Sequence, residues 1–210
     1  MIKKNRSKTN SIVLFGNGDV PIHRETKHVL NNATSFICID GGADKLNSLG
    51  FEPNIIIGDL DSIKSSYNCT IIEEKDQNKS DLEKGLIWCM KNDIKHLSLV
   101  GFSGGRDDHN FLTYFIMLKY AKRIKMTLYS NFSKVVCVRD QTFFKSIPNQ
   151  TISIITPDRD ILITTSNLEY PLYEEKLLFP SQGISNLTST GTSYSIKASN
   201  WVWVFENYLF

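Results

Sequence analysis

The sequence has 210 residues and a formal net charge of +2, with 41% hydrophobic, 11% aromatic and 22% charged residues. This composition is typical of a globular chain and excludes a disordered or fibrous protein. The nearly balanced charge argues against a nucleic-acid partner, because nucleic-acid-binding domains concentrate Lys and Arg on one face, so any phosphate ligand must be held locally.

The first two thirds of the chain alternate short apolar runs with segments of helical period. Six runs predict strands, at residues 11–16, 35–40, 54–59, 69–74, 96–101 and 125–130. The segments between them predict helices at residues 22–32, 42–49, 81–92 and 108–122. This alternation is typical of strand-helix-strand units that build a parallel sheet.

Two of the predicted helices carry apolar stripes. The stripe of the helix at 81–92 consists of Leu82, Leu86 and Met90. The stripe of the helix at 108–122 consists of Phe111, Phe115 and Leu118. Ser80 or Asp81 is expected to cap the N-terminus of the first of these helices.

From about residue 133 the sequence changes to short β-rich runs separated by turn residues. The runs are "KVVCVRD", "QTFFKSI", "TISIITPD", "DILITTS", "SYSIKAS" and "NWVWVFEN". The last run has aromatic residues on one face and Val202 and Val204 on the other, which predicts a strand buried on both sides. The aromatic face consists of Trp201, Trp203 and Phe205.

This change predicts an α/β domain followed by an all-β domain. We expect an N-terminal three-layer α/β domain with a mostly parallel sheet at residues 1–135. We expect a C-terminal antiparallel β-sandwich at residues 136–210.

The chain shows no pattern typical of export or of a membrane protein. The basic start "MIKKNRSKTN" is followed only by the short run "SIVLF", and no segment approaches the ~20 apolar residues of a membrane span. The cysteines form no CxxC pair, and we interpret them as buried small side chains in a reducing compartment. They are Cys38, Cys69, Cys89 and Cys137. We therefore expect a cytoplasmic protein.

Polar side chains follow four successive predicted strands, and ligands of open parallel sheets bind beyond such strand ends. The groups are Asp40, Gly41, Gly42 and Asp44; then Asp59, Asp61 and Ser62; then Asp76, Gln77, Ser80 and Asp81; and then Gly104, Gly105, Arg106, Asp107, Asp108 and His109. Gathered carboxylates repel one another unless a cation or protons join them. Oxygen ligands without His or Cys suit Mg²⁺, so we interpret Asp59 and Asp61 as part of a metal platform.

Each motif also has a purely structural interpretation. "DGGAD" suits a tight turn, "GDLDS" suits a helix cap, and "DQNKSDLEKG" suits a solvated loop with a cap. "GGRDDHN" is a stronger signal, because an Arg between a glycine pair and a carboxylate pair is unusual in a plain turn. The functional interpretation depends on the four coincident strand ends and not on any single motif.

Together and in order, these motifs resemble those of the thiamine pyrophosphokinases, also called thiamine diphosphokinases. The resemblance runs through "NGD", "IDGGAD", "PNIIIGDLDS", "DQNKSDLEKG", "GGRDDHN" and "YPL…QGISN". It implies an enzyme that transfers the pyrophosphoryl group of ATP to the hydroxyl of thiamine, giving thiamine diphosphate and AMP. It also implies an N-terminal ATP-binding domain, a C-terminal domain that helps to bind thiamine, and a homodimer with sites between the subunits.

The resemblance implies roles for individual residues. The expected Mg²⁺ ligands are Asp59, Asp61 and Asp81. The expected catalytic residues are these three together with Arg106 and Asp108. The expected ATP contacts are Asp40, Gly41, Gly42, Gln77, Ser80, Gly105 and Arg106. The expected thiamine contacts are Ser185, Asn186 and Asp40.

Two features depart from the family pattern. Asp44 stands where the family often has Asn, which is expected to bring an extra negative charge near the phosphates. The segment "LTSTGTS" after Asn186 offers no aromatic residue to stack on thiamine. The stacking residue is therefore expected elsewhere, at Tyr170 or Trp201.

Several alternatives stay open from the sequence. Asp108 could orient Arg106 or accept the proton of the attacking hydroxyl. The protein could be a related pyrophosphokinase for another hydroxymethyl heterocycle, such as a pterin. It could also be a nucleotide- or thiamine-binding module without catalysis, or a structural α/β protein whose acids only cap helices.

Overall fold

The computed structural model describes residues 11–209. The predicted strands and helices of the first part of the chain are all present, with ends displaced by a few residues. They are β1 (Ile12–Phe15), α1 (Arg24–Asn31), β2 (Ser35–Ile39), α2 (Gly42–Ser48), β3 (Ile55–Gly58), β4 (Thr70–Glu73), α3 (Asp81–Lys91), β5 (His96–Val100), α4 (Asp107–Tyr120) and β6 (Lys125–Tyr129).

The remaining part is β-rich, as predicted. Its elements are β7 (Ser133–Lys145), β8 (Thr151–Ile155), β9 (Leu162–Ser166), β10 (Glu175–Lys176), a 3-10 helix (Pro180–Gly183), β11 (Asn186–Leu187) and β12 (Ser193–Asn207). The prediction of separate short strands is wrong in two places, since four runs merge into the long strands β7 and β12. These two strands pair antiparallel with each other. This pairing continues on both sides of the turn-like residues at which the sequence suggested breaks between strands.

The strands form one mixed sheet in the order β10-β9-β12-β7-β6-β5-β1-β2-β3-β4, and β8 joins it through β12. The six neighbouring strands β6, β5, β1, β2, β3 and β4 are parallel. The antiparallel part of the sheet begins where β6 pairs with β7. The predicted boundary between residues 135 and 136 falls within β7, so the division into two domains stays a prediction. Chain connections leave β1 and β5 in opposite directions, which makes their C-terminal ends a switch point where ligands of such sheets bind.

Alternation along the parallel strands supplies a core on each face. Leu14 of β1 packs in a cluster with residues of α3 and α4, such as Leu86 and Met117. Phe15 packs in a cluster with residues of α1 and α2, such as Leu30. The parallel part of the sheet therefore lies between two pairs of helices.

The antiparallel strands enclose a further core, and β12 borders two cores at once. Val202 and Val204 lie in this further core. Trp203, on the opposite face, is 5% exposed, packs with the first core and donates from Nε1 to the carbonyl of Tyr114 at 2.8 Å. The prediction of a strand buried on both sides is confirmed.

The two predicted helix stripes have different outcomes. In α3, Leu82 and Leu86 are buried, and the Ser80 hydroxyl caps the helix by accepting from the amide of Glu83 at 3.3 Å. In α4, Phe111 and Phe115 of the predicted stripe are exposed. The buried residues of α4 are Thr113, Ile116, Met117 and Tyr120. Helix α4 carries two apolar rows, and only the packing against the sheet decides which row becomes buried.

The four cysteines are free thiols, with Cys38 and Cys89 buried and the other two half-buried. Burial raises the pKa of Cys89 and of Cys137 to about 12. These thiols therefore stay protonated and unreactive, as expected for small apolar side chains.

Within residues 11–209, none of the helices combines the length and the apolar content that crossing a membrane requires.

Candidate active site

A cleft of about 530 Å³ lies at the C-terminal edge of the parallel strands. Its lining includes the loops that follow β1 and β5, which are joined by a hydrogen bond from the amide of Gly18 to the carbonyl of Gly101 at 2.6 Å. A Cβ atom on Gly18 would lie 2.5 Å from the carbonyl oxygen of Ser103. Only glycine allows the two loops to approach this closely, so the glycines of "NGD" and "VGFSGG" shape the cleft.

Three carboxylates meet at one side of this cleft. Asp40 follows β2, and Asp59 and Asp61 follow the adjacent parallel strand β3. One oxygen from each of the three lies within 4.8 Å of the others. The parallel register, in which Ile39 pairs with Ile57, brings the two strand ends side by side. Acids from two separate segments therefore converge in this carboxylate triplet, but the expected set was Asp59, Asp61 and Asp81, and Asp40 stands in the place expected for Asp81.

The triplet has the electrostatics of a cation site. The negative charge of Asp59 is the main cause of a raised pKa at Asp61. The backbone amide of Asp61 is the main cause of a lowered pKa at Asp59. Ser62 donates its hydroxyl proton to Oδ2 of Asp40, while Oδ1 of Asp40 is buried with no hydrogen-bond partner among the described residues. A hard divalent cation such as Mg²⁺ fits this all-oxygen donor set, since it would relieve the repulsion and satisfy the buried oxygen.

Asp81 lies beside the triplet but outside the group of mutually close oxygens. It is the first residue of α3, and its Oδ1 lies 3.0 Å from Nζ of Lys84. Lys84 lines the cleft and is 4% exposed.

Sequence analysis assigned no role to Lys84 or to Asn110, and both line the cleft. Oδ1 of Asn110 is also buried with no hydrogen-bond partner among the described residues. Asn110 stands four residues after Arg106. This spacing places both residues on one face of a helix, so the sequence could have indicated that Asn110 lines the cleft with Arg106. For Lys84 the corresponding signal was its place three residues after Asp81.

The predicted ATP contacts divide into two groups. Those that line the cleft are Asp40, Gln77, Ser80, Gly105 and Arg106. Gly41 and Gly42 instead shape the turn from β2 into α2, where a Cβ atom on Gly42 would lie 2.7 Å from the carbonyl oxygen of Phe15. Gln77 also reaches Asp59, with 3.5 Å between Nε2 and Oδ2.

Arg106 and Asp108 form a two-point ion pair at the start of α4. Nε of Arg106 lies 3.1 Å from Oδ1 of Asp108, and Nη2 lies 2.6 Å from Oδ2. The hydrogen bond from Arg106 is the main cause of a lowered pKa at Asp108. Asp108 is therefore a weak proton acceptor, and the geometry favours the alternative in which it orients Arg106.

Asp44 does not line the cleft, which corrects the expectation of an extra charge near the phosphates. Its carboxylate accepts from the hydroxyl of Tyr67 at 2.6 Å and from the amide of Lys64 at 2.7 Å. The bond from Tyr67 is the main cause of a lowered pKa at Asp44. Both donors belong to the segment that follows β3, so the Asp44 carboxylate holds this segment against the start of α2.

Of the expected thiamine contacts, Asp40 lines the cleft, whereas Ser185 and Asn186 lie in the antiparallel part and do not. Asn186 is bonded to the backbone of Tyr170, accepting from its amide at 3.0 Å and donating to its carbonyl at 2.6 Å. Ser185 is exposed, and its amide donates to the hydroxyl of Ser153 at 3.1 Å. Tyr170 is exposed, and Trp201 packs beside Arg139. Their roles toward a ligand stay predictions.

Comparisons with known proteins point to one family. Residues 26–128 match the family model described as thiamin pyrophosphokinase, catalytic domain. Thiamin pyrophosphokinase 1 of Caenorhabditis elegans is 25% identical over 123 residues, which cover 52% of this chain and 51% of that protein. The chain thus matches about half the length of this curated relative.

Solved structures share the fold at low sequence identity. Thiamin pyrophosphokinase from Candida albicans has a TM-score of 0.79 at 15% identity, covering 93% of this chain and 89% of that chain. Thiamine pyrophosphokinase from Bacillus subtilis has a TM-score of 0.80 at 20% identity, covering 95% and 99%. Yeast thiamin pyrophosphokinase has a TM-score of 0.77 at 16% identity, covering 95% and 86%. The chain therefore resembles the catalytic domain of the thiamin pyrophosphokinases over residues 26–128, and it shares the fold of these solved structures over nearly its whole length.

Proposed function

We propose that this protein transfers the pyrophosphoryl group of ATP to the hydroxyl of thiamine, producing thiamine diphosphate and AMP. The observation that carries the proposal is the triplet of Asp40, Asp59 and Asp61 at the strand ends. Asp40 and Asp59 of this triplet line the cleft together with the glycine loops and Arg106. The match of residues 26–128 to the family model and the name of the Caenorhabditis elegans relative support the same substrate.

The triplet would hold Mg²⁺, and we propose that Asp81, which lines the same cleft, adds a ligand through water. When bound, this ion supplies charge neutralisation at the polyphosphate of the nucleotide. Because pyrophosphoryl transfer depends mainly on positioning and on charge stabilisation, the other parts that the chain must provide are cationic clamps and close-fitting backbone.

Arg106 is the first of these clamps. Its guanidinium can bind two phosphate oxygens at once, which a lysine cannot do. Asp108 already holds this guanidinium by two bonds and so fixes its orientation before a ligand arrives. The loops at Gly16–Gly18 and Gly104–Gly105 let a phosphate approach the backbone closely.

In the proposed reaction, the hydroxyl oxygen of thiamine forms a bond to the β-phosphorus of ATP. The bond from this phosphorus to the oxygen shared with the α-phosphorus breaks, and AMP leaves with that electron pair. The proton of the hydroxyl passes to water or to a carboxylate of the cleft. We assign Asp108 to orienting Arg106 rather than to accepting this proton, because its two-point ion pair with Arg106 favours the ionised form.

We further propose that thiamine binds between two copies of the chain in the cytoplasm. Ser185 and Asn186 stand outside the cleft of their own chain, so they can serve as thiamine contacts by facing the cleft of a second copy. In this arrangement residues 1–135 form the ATP-binding domain and residues 136–210 form the sandwich domain that helps to bind thiamine.

The reaction is tested by incubating the purified protein with ATP, Mg²⁺ and thiamine and separating the products by ion-exchange chromatography. We expect equal amounts of AMP and thiamine diphosphate, and no product when EDTA removes the metal. Release of ADP, or no turnover despite ATP binding, would contradict the proposal. A hydroxymethyl pterin in place of thiamine tests the rival enzyme, and we expect no AMP from it.

The shared site is tested by mixing two inactive variants, Asp59→Asn and Asn186→Ala, after unfolding and refolding them together. If each site takes its acids from one copy and Asn186 from the other, mixed dimers regain one intact site. Activity should then return to about a quarter of the wild-type value, since half of the dimers are mixed. No recovery, with both variants folded and dimeric, would assign the whole site to one chain.

A further inference from the structure

Lys84 is a buried cation that lines the cleft. Among the described residues, the charged side chains classed as buried are those of Lys84 and Glu206. The Lys84 side chain is 2% exposed. Lysine is rarely buried to this degree unless its ammonium is paired, because desolvation strongly disfavours the charge.

Close packing of α3 against β2 brings this lysine into the cleft. The next residue, Gly85, leaves so little room that a Cβ atom there would lie 2.5 Å from Cδ1 of Ile39. Side chains of a helix point toward its N-terminus, and here the N-terminus of α3 borders the carboxylate triplet. Nζ accordingly lies beside Asp81 in the preceding turn and lines the cleft.

The pairing of Lys84 with Asp81 is unequal. The Asp81 side chain is 50% exposed, so water competes for its oxygens, while the ammonium of Lys84 is almost fully removed from water. An ammonium has three donors. Among the described residues, Nζ of Lys84 makes a hydrogen bond to Oδ1 of Asp81 at 3.0 Å. The positive charge of Lys84 therefore has capacity to bind further acceptors that enter the cleft.

We propose that Nζ of Lys84 binds the anionic oxygens of the polyphosphate of the nucleotide and is a catalytic residue for the transfer; this inference rests on the proposed function. Lys84 differs from Arg106, whose side chain is 74% exposed and therefore acts in surroundings close to bulk water. A buried ammonium is fixed before the ligand binds and acts in a medium of low dielectric constant, where its attraction for the transferred group is stronger than in water.

The direct test is Lys84→Met, which keeps the length of the side chain and removes its charge. Binding of inorganic tripolyphosphate is measured by calorimetry in EDTA, so that neither turnover nor a metal contributes. We expect binding at least about tenfold weaker than in the wild type, since charge-assisted hydrogen bonds are lost. Unchanged binding would overturn the inference.

The matched control is Lys119→Met. Lys119 also pairs with an acid of α3, with 2.7 Å between its Nζ and Oε1 of Glu83, but its side chain is 63% exposed and does not line the cleft. We expect tripolyphosphate binding of this variant to equal that of the wild type. An equal loss in both lysine variants would mean that overall charge, and not Lys84, controls the binding.

A second variant separates ligand binding from a role in holding Asp81. If Lys84 acts only by holding Asp81 as a ligand of the metal, Lys84→Met should leave metal-free tripolyphosphate binding unchanged and lower only the Mg²⁺-dependent turnover, and this result would overturn the inference. If Lys84 binds the phosphates, Asp81→Asn should leave the binding unchanged or strengthen it, because a negative charge is removed. Asp81→Asn also keeps the test decisive if Lys84→Met does not fold.

The outcomes distinguish this inference from the proposed function. If the wild-type protein binds neither ATP nor tripolyphosphate, both fail together. If the wild type releases AMP and Lys84→Met does so with an unchanged kcat/KM for ATP, only the role of Lys84 fails. We expect kcat/KM for ATP to fall at least as much as the affinity for tripolyphosphate.

Discussion

Two lysine–acid pairs of this protein are buried in opposite senses. In the cleft, the lysine of the Lys84–Asp81 pair is 2% exposed and the acid 50%. In the antiparallel part, the acid of the Lys134–Glu206 pair is 3% exposed and the lysine 35%, with 2.5 Å between Nζ and Oε2. The buried member of the pair is thus the cation Lys84 in the cleft and the anion Glu206 in the antiparallel part of the sheet.

The surroundings explain the difference. Glu206 lies on β12 between Lys134 of β7 and Ile152 of β8, close to the hydroxyl of Tyr194. Burial, followed by the charge of Glu206, raises the pKa of Tyr194, so this tyrosine remains neutral. The partners of Glu206 come from the fold itself, which indicates a stabilising role. Lys84 instead faces acids of the cleft, with one hydrogen bond to the half-exposed Asp81, which agrees with our proposal that it binds a ligand there.

Asp59→Asn should give the largest effect and should act on activity alone. We expect turnover to fall by about 100-fold or more, because a charged ligand of the cation is lost. Stability should not fall, since the variant removes repulsion between Asp59 and Asp61. The initial rate of AMP release and the thermal midpoint measure the two effects.

Asp93→Asn is the matched control for this change. Asp93 is an exposed acid with a positive φ of 58°, a conformation that Asn accepts readily. We expect wild-type turnover from it. Normal Mg²⁺-dependent turnover in Asp59→Asn would remove the cation role from the triplet.

Arg106→Lys should lower kcat/KM by roughly tenfold to a hundredfold, since the positive charge stays but one of two charge-assisted hydrogen bonds is lost. The steady-state kinetics of AMP release measure the effect. Arg139→Lys is the control, because Arg139 pairs with Asp140 at 3.1 Å and lies outside the cleft. Equal kinetics for the two variants would show that Arg106 does not clamp phosphate.

Glu206→Gln should reverse this pattern by lowering stability and sparing catalysis. We expect a loss of about 2 kcal/mol in the free energy of unfolding, because a charged hydrogen-bond acceptor is removed from a buried pair. Urea unfolding measures the loss, and kcat of the folded protein should remain that of the wild type. The exposed pair of Asp160 and Lys176 offers the control Asp160→Asn, expected to cost under about 1 kcal/mol. An equal cost for both would contradict a structural role for Glu206.

Asp44→Asn should give the smallest effect, visible only in the dependence of stability on pH. Hydrogen bonding from Tyr67 lowers the pKa of Asp44 in the folded protein. Its stabilisation is therefore complete above the unfolded pKa of about 3.9 and is lost as the pH falls through the folded value. Between about pH 5 and about pH 3, wild type should lose slightly more unfolding free energy than Asp44→Asn. Parallel curves would mean that Asp44 contributes no pH-dependent stability.

The sequence predicted the parallel part of the fold well because its signals are local. Each strand is an apolar run that ends in a polar turn, and each helix has its own cap or period, as Ser80 shows for α3. The antiparallel part was harder to predict. The continuity of β7 and β12 depends on hydrogen bonds between residues far apart in the chain, which local patterns do not encode.

The candidate site shows the same division. The order of residues determined that Asp40, Asp59 and Asp61 would stand at strand ends, because a strand that enters a core must place its polar groups beyond its last apolar residue. Only the tertiary structure decided that Asp40 joins the triplet while Asp44 bonds the loop, and that Phe111 faces outward. It also decided that Lys84 is buried, since the burial of a side chain depends on which neighbouring surface packs against it.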